Sequence, residues 1–211
     1  DFARGPALQW SLIILVVGVL WRLFGALFLL RHKDLSKPKG ETGGGAVLTV
    51  LNRFWPKPQF SKITFTVLLA YVMHIGLFVV VFLFAPHITL IKDMTGLSWG
   101  GLPNSVIMFA GTATIAAMAA LLVRRMTTPV LRMISSWEDY FSWAVTAAPV
   151  LTGMLAYAHV GGRYENLLAV HLLTVELLFV WFPFGKLMHA VLFIPSRAQL
   201  GAHYARRGVK I

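Results

Sequence analysis

Five long apolar stretches, separated by polar or glycine- and proline-containing breaks, organise this chain. They cover residues 7–30, 63–85, 104–123, 137–158 and 166–194. Each has about 20 residues or more, the length that an α-helix needs to cross a hydrocarbon core of roughly 30 Å. The pattern predicts an all-α membrane protein in which five transmembrane helices form a single domain over residues 1–211.

The breaks between the stretches predict loops and turns. The first, over residues 31–62, is long and basic, and its glycine-rich run at 40–45 is typical of a flexible connection. The later breaks contain glycine, proline or paired arginines at Pro86, Gly100, Gly101, Pro103, Arg124, Arg125, Pro129, Gly161 and Gly162.

Composition narrows the class of protein. Hydrophobic residues make up 57% of the chain, which suits an integral membrane protein. The chain has no cysteine, so it can form neither a disulfide, nor a thiolate iron–sulfur cluster, nor a covalent c-type haem. A redox centre would therefore use histidine or methionine, and non-covalent b-type haem fits. The net charge of +11 does not indicate nucleic acid, because the basic residues lie between the spans.

The distribution of lysine and arginine predicts the orientation in the membrane. One side carries Arg31, Lys33, Lys37, Lys39, Arg53, Lys57, Lys62, Arg124, Arg125, Arg132, Arg197, Arg206, Arg207 and Lys210. The other carries Arg4, Lys92 and Arg163. The positive-inside rule places the amino terminus outside and the carboxyl terminus in the cytoplasm, in the inner membrane of a prokaryote. The same basic clusters could also dock a cytoplasmic partner.

Two histidines in the last stretch are the main chemical signal. His171 and His189 lie 18 residues apart, about five turns of a continuous helix, so they should share one face and lie about 27 Å apart. Imidazole is a common axial ligand of haem and is costly to leave unpaired in lipid. The pair predicts two stacked b haems, one near each membrane surface.

Each of these histidines needs a partner. His74 lies at a depth in the second span comparable with that of His189 in the fifth, so these two could share the inner haem. For His171 the candidate is His87, which has the right depth but requires Pro86 to re-aim the chain. His159 is the alternative, and a protein with one haem is another.

Charged residues within the spans suggest further roles. Arg22 and Lys186 could neutralise haem propionates, although Lys186 could instead reach the membrane surface. Glu176 could accept a proton from a quinol or pair with a buried base, or it could form a structural bond between helices. Glu138 and Asp139 open the fourth span and are expected to complement the helix dipole, and a serine before them, Ser135 or Ser136, can cap the helix.

Several motifs together carry a resemblance to a known family. They are His74-Ile-Gly, Met108-Phe-Ala-Gly111, Arg124-Arg125 with Pro129 and Asp139, and the run from His171-Leu to Phe182-Pro-Phe-Gly-Lys-Leu-Met-His189. With them the chain resembles the gamma subunit of respiratory nitrate reductase. It is similar as well to the cytochrome b subunits of sulfite-reduction-associated and heterodisulfide-reductase-like complexes.

The resemblance implies a five-helix subunit with two b haems, exchanging electrons with a quinone near the outer haem and with an iron–sulfur partner near the inner one. His74 and His189 match the ligands of the inner haem, and His171 matches one ligand of the outer haem. Phe84 stands where the nitrate reductase subunit has a second histidine in this span, and Pro103 stands about where it has a lysine. These departures favour a relative from sulfur or heterodisulfide metabolism.

The sequence thus predicts a quinone-linked electron-transfer subunit of an oxidoreductase complex that does not itself carry the substrate chemistry. A haem-free membrane anchor or assembly scaffold is the first alternative. The second is a small transporter whose path would be lined by Glu176, Arg22 and His74.

Overall fold

The structure, a computed structural model, describes residues 2–29, 37–52 and 64–209. Of the residues used to predict orientation, Arg31, Lys33, Arg53, Lys57, Lys62 and Lys210 lie outside this part of the chain. The described ranges contain nine α-helices. They are α1 (Pro6–Phe24, continued by a π-helical turn, Gly25–Leu29), α2 (Thr42–Asn52), α3 (Thr64–Leu83), α4 (Ala85–Thr95), α5 (Asn104–Thr127), α6 (Pro129–Met133), α7 (Trp137–Ala158), α8 (Tyr164–Trp181) and α9 (His189–Arg206).

Five of these helical segments are long and apolar enough to cross a membrane. They are Pro6–Leu29, α3, α5, α7 and α8. The first four agree with the predicted spans to within a few residues, because a hydrophobic stretch of this length is a local property of the sequence. The chain is a multi-pass transmembrane helical protein.

The fifth predicted span is interrupted. Helix α8 ends at Trp181, residues 182–185 form a turn, and a short 3₁₀ helix, Lys186–Met188, precedes α9. Pro183 has no backbone N–H to continue the helix, and the amides of Phe184 and Gly185 both donate to the Trp181 carbonyl at 3.1 and 3.0 Å. The prediction of one continuous helix over 166–194 is wrong, so the 18-residue spacing of His171 and His189 does not by itself predict a shared face.

The chain divides into two compact units. The first comprises Asp1–Leu8 and Lys62–Leu178, and the second comprises Gln9–Ser61 and Phe179–Ile211. Of the histidines predicted to bind haem, His74, His87 and His171 belong to the first unit, whereas His189 belongs to the second.

Small residues allow close helix packing in the first unit. A Cβ atom at Gly76 of α3 would overlap the Thr114 hydroxyl of α5, and one at Gly111 would lie 3.1 Å from the Met154 sulfur of α7. Several apolar side chains of α5 and α7 are buried: Ile107, Ala117, Met118, Val145, Ala147 and Val150. Helices α3, α5 and α7 therefore form a packed core of this unit.

The start of α7 is capped as the sequence predicts. Ser136 and Asp139 form a reciprocal capping box, in which Asp139 accepts from the Ser136 backbone amide at 2.9 Å. Arg125 at the end of α5 adds an ion pair to Asp139 at 3.3 Å and donates to Ser135 at 2.8 Å. This network joins the ends of α5 and α7 and satisfies the first amides of α7.

The glycine-rich run at 40–45 is not a flexible connection, and that interpretation is corrected. Most of it belongs to α2, which packs against α9 in the second unit. Gly45 and Gly201 meet at the crossing, where a Cβ atom on either would overlap the other helix. Thr49 is fully buried beside them and donates to the Gly45 carbonyl at 2.9 Å. These glycines serve close packing rather than flexibility.

Candidate functional site

The position of His87 follows from a break between α3 and α4. Phe84 adopts an extended conformation between the two helices, and Pro86 lies in the first turn of α4, where its missing N–H is tolerated. The chain is thereby turned, and the His87 amide donates to the Phe84 carbonyl at 3.0 Å instead of continuing α3. This is the re-aiming by Pro86 on which the prediction for His87 depends.

The break brings the imidazoles of His87 and His171 close together with nearly parallel ring planes. Their ring centroids lie 6.2 Å apart, and the ring planes differ by 14°. Phe84 packs its ring edge-on to His87 at a centroid distance of 5.2 Å and also contacts Tyr157 of α7 at 5.9 Å. Two of the sequence-predicted ligands are therefore neighbours, and Phe84 packs against one of them.

Helix α7 packs against the His171 side chain. The His171 Nδ1 atom lies 3.3 Å from the Thr152 hydroxyl, which also lies 3.0 Å from the Thr174 hydroxyl. The neighbouring residue is Gly153, where a Cβ atom would lie only 3.0 Å from His171 Cε1. Glycine at this position lets α7 approach the imidazole closely.

Backbone hydrogen bonds place a proton on Nδ1 in three of the histidines. His87 Nδ1 donates to the Val80 carbonyl at 2.9 Å, His74 Nδ1 to Ala70 at 2.7 Å, and His189 Nδ1 to Lys186 at 2.8 Å. In His87 this tautomer presents the Nε2 lone pair for a ligand bond, as in histidines that bind metal. Burial lowers the pKa of His87 and so favours the neutral, ligating form.

The second unit gathers basic side chains around His189. A cleft of about 460 Å³ is lined by Arg22, Gly185, Lys186, Met188, His189, Leu192, Phe193, Ser196 and Arg197. Both residues predicted to contact propionates, Arg22 and Lys186, are thus in one cleft with the predicted ligand. Arg197, whose guanidinium lies 4.3 Å from the centre of the Phe193 ring, was not predicted here. The sequence feature that could have placed Arg197 in the cleft is its spacing: His189, Phe193 and Arg197 follow one another at intervals of four residues and so share one face of α9.

Comparison with known proteins shows a relative across nearly the whole chain. A protein of the bacterium Nitratidesulfovibrio vulgaris is 35% identical over 218 residues, which cover 98% of this chain and 94% of the relative. The chain belongs to the same family as this bacterial protein. No family model matches the chain. The shared family extends to both units, so the histidine pair and the basic cleft lie within the region of homology.

The other predicted residues occupy different positions. His159 ends α7 in a left-handed conformation with a φ of 54°, and its ring stacks on Tyr164 at 5.1 Å. It is exposed, and it is His87 that stacks on His171.

Glu176 of α8 is 6% exposed, and its Oε1 atom has no hydrogen-bond partner among the described residues. A buried carboxylate of this kind is costly unless it is protonated or finds a partner.

The pairing of His74 with His189 joins residues of different units and stays a prediction. Across the described ranges, no group of three or more His, Cys, Asp or Glu side chains could hold a metal ion. The candidate centre of the first unit is thus the pair of His87 and His171.

Proposed function

We propose that this protein is a b-type cytochrome subunit that transfers electrons between the quinone pool and a cytoplasmic iron–sulfur partner subunit of a respiratory complex. It would lie in the cytoplasmic membrane of a prokaryote, with its amino terminus outside. The observation that carries the proposal is the proximity of the His87 and His171 imidazoles, with nearly parallel ring planes, where a transmembrane helix ends.

The separation of the two rings suits a metal bound between them. A metal–imidazole bond is about 2 Å long, and the ring centroid lies about 1 Å behind the bonded nitrogen. Two imidazoles that meet one metal edge-on, with their in-plane nitrogen lone pairs directed at it, would then have centroids about 6 Å apart. The centroids of His87 and His171 are 6.2 Å apart. His87 and His171 would hold the iron of a b haem through neutral imidazole nitrogens.

The protein's own groups would orient and insulate such a centre. The Val80 carbonyl fixes the tautomer of His87, and Thr152 restrains His171. The enclosing helices are apolar, so the local dielectric is low and the neutral form of each ligand is favoured. When bound, haem supplies one-electron chemistry, whereas the protein sets its ligands and surroundings.

The cleft of the second unit supports a second haem with His189 as one ligand. Its wall combines an imidazole, apolar side chains and the cations of Arg22, Lys186 and Arg197. This combination suits a flat apolar ring that carries carboxylates, because arginine and lysine form charge-assisted hydrogen bonds to carboxylates. His74 remains the predicted second ligand. Glu176 is the proposed proton acceptor for a quinol.

The test is the number of haems per polypeptide. Pyridine haemochrome analysis of the purified protein should give two b haems, and a redox titration of the alpha band should resolve two potentials. One haem would restrict the proposal to a single site. None, with no Soret band, would overturn it in favour of a haem-free anchor or scaffold.

The ligand assignments are tested by single substitutions. His74→Ala and His189→Ala should each remove the same haem, which is retained in His171→Ala. Full haem content in either of the first two variants would contradict the pairing of His74 with His189.

A further inference from the structure

The break between α3 and α4 leaves two backbone carbonyls without their usual helical donors. The Phe82 carbonyl would accept from the amide of residue 86, which is a proline and has none. The Leu83 carbonyl would accept from His87, whose amide donates to Phe84 instead. Unsatisfied carbonyls at the end of an apolar helix are costly, so this junction needs donors from elsewhere in the chain.

Both donors come from one short stretch, residues 96–102, named here the return segment. The Trp99 indole Nε1 donates to the Phe82 carbonyl, and the Leu102 amide donates to the Leu83 carbonyl at 2.9 Å. The return segment begins at Gly96, which ends α4 in a left-handed conformation with a φ of 79°. The chain therefore turns back after α4 and satisfies the junction from which α4 started.

The fit of the return segment against the junction is close. A Cβ atom at Gly101 would lie 3.2 Å from the Leu83 carbonyl oxygen and 3.3 Å from Ile88 Cδ1. The adjacent Gly100 has no atom within 4 Å of a Cβ placed there. The contact is thus made by one face of the segment, and that face lies against the residues flanking His87.

From these contacts we infer that Trp99 is a positioning residue for His87. Its indole N–H replaces the donor that Pro86 lacks, and so holds the helix break at the angle that directs the His87 imidazole toward His171. The inference rests on the proposed function for its spectroscopic consequence, because a ligand that turns or recedes changes the ligand field of the iron. The role of Trp99 in holding the helix break does not depend on haem.

The first experiment removes the indole donor while keeping an aromatic ring. Trp99→Phe should retain the haem but shift both its low-spin EPR g values and its midpoint potential. The haem concerned is the one that His87→Ala abolishes. The matched control is Trp143→Phe, since the Trp143 indole also donates to a helix carbonyl, that of Met118 at 2.9 Å, and does not contact the junction. The control should leave both signals unchanged.

The second experiment displaces the return segment sterically. Gly101→Ala should produce the same spectroscopic shift as Trp99→Phe, because the added methyl group pushes the segment away from the Leu83 carbonyl. Gly100→Ala, which adds the same group into open space, should not. Equal spectra for Gly101→Ala and Gly100→Ala, or an unshifted Trp99→Phe, would overturn the inference.

Hydrogen exchange separates this inference from the proposed function. Loss of one hydrogen bond should speed exchange of the Leu102 amide about ten-fold in Trp99→Phe relative to Trp143→Phe, measured by mass spectrometry on haem-depleted protein. If the wild type binds no haem but this difference is found, the cytochrome proposal fails and the positioning of His87 stands. If haem is bound and exchange is equal in the two variants, the inference fails and the cytochrome proposal stands.

Discussion

Substitution of Gly153 by alanine tests whether His171 ligates a metal in the observed position. The added Cβ would lie 3.0 Å from His171 Cε1 and 3.2 Å from Nδ1, whereas non-bonded carbon atoms prefer about 3.5–4.0 Å. The ring must therefore recede by about 0.5 Å or more if α7 stays in place. Metal–ligand distances tolerate only about 0.2 Å, so the ligand bond is lost or distorted.

The same movement would also weaken the restraint on the imidazole. The Thr152 hydroxyl lies 3.3 Å from His171 Nδ1, and a further 0.5 Å or so would exceed hydrogen-bonding distance. Loss of such an orienting contact typically costs 10–100-fold in metal affinity. We expect Gly153→Ala to bind the haem of the His87–His171 site about 10–100-fold more weakly and to retain the other haem.

The assay is haem content by pyridine haemochrome during stepwise dilution of free haemin, with EPR to identify the affected site. Gly162→Ala is the matched control, because a Cβ at this position meets nothing within 4 Å. Circular dichroism should show the same helix content in both variants. Wild-type affinity and unchanged EPR signals in Gly153→Ala would refute the placement of a metal between these rings.

Three further predictions follow from the same geometry. His87→Ala should remove one of two haems by pyridine haemochrome, whereas His159→Ala should remove none; the reverse result would move the ligand to His159. Arg197→Gln should lower the midpoint potential of the haem in the basic cleft, since losing a cation favours the ferric state; an unchanged potential would place Arg197 outside that site. Gly201→Ala should lower the free energy of unfolding by about 1–3 kcal/mol through overpacking of α2 on α9, measured by denaturant titration. In the control Gly43→Ala, the added Cβ has no atom within 4 Å, so the free energy of unfolding should stay the same or rise. Equal effects of the two substitutions would contradict the close crossing of α2 and α9.

Some features of the site could be predicted because they depend on local sequence. The Ser136–Asp139 capping box follows from residue types three positions apart, and the first four spans follow from apolar stretches of sufficient length. The end of α8 had a local signal at Pro183. Apolar residues nevertheless continue past the turn, and hydropathy does not report whether the backbone remains helical.

Other features depend on residues that are distant in sequence. Gly45 in α2 packs against Gly201 in α9, and a glycine-rich run considered alone is equally compatible with a flexible loop. The basic cleft combines Arg22 with residues 185–197. Its third cation, Arg197, could be placed there only once α9 was known to begin at His189, because that start sets the face of the helix.

The amino-acid sequence by itself determined that the protein spans the membrane and that a redox centre in it would depend on histidine rather than cysteine. Both conclusions concern composition and local hydrophobicity, which do not require knowledge of neighbours. Only the tertiary structure decided that His87, and not His159, lies against His171. The direction taken by the chain after Pro86 is set by hydrogen bonds to carbonyls freed at the helix break, and their donors, Trp99 and Leu102, lie beyond α4.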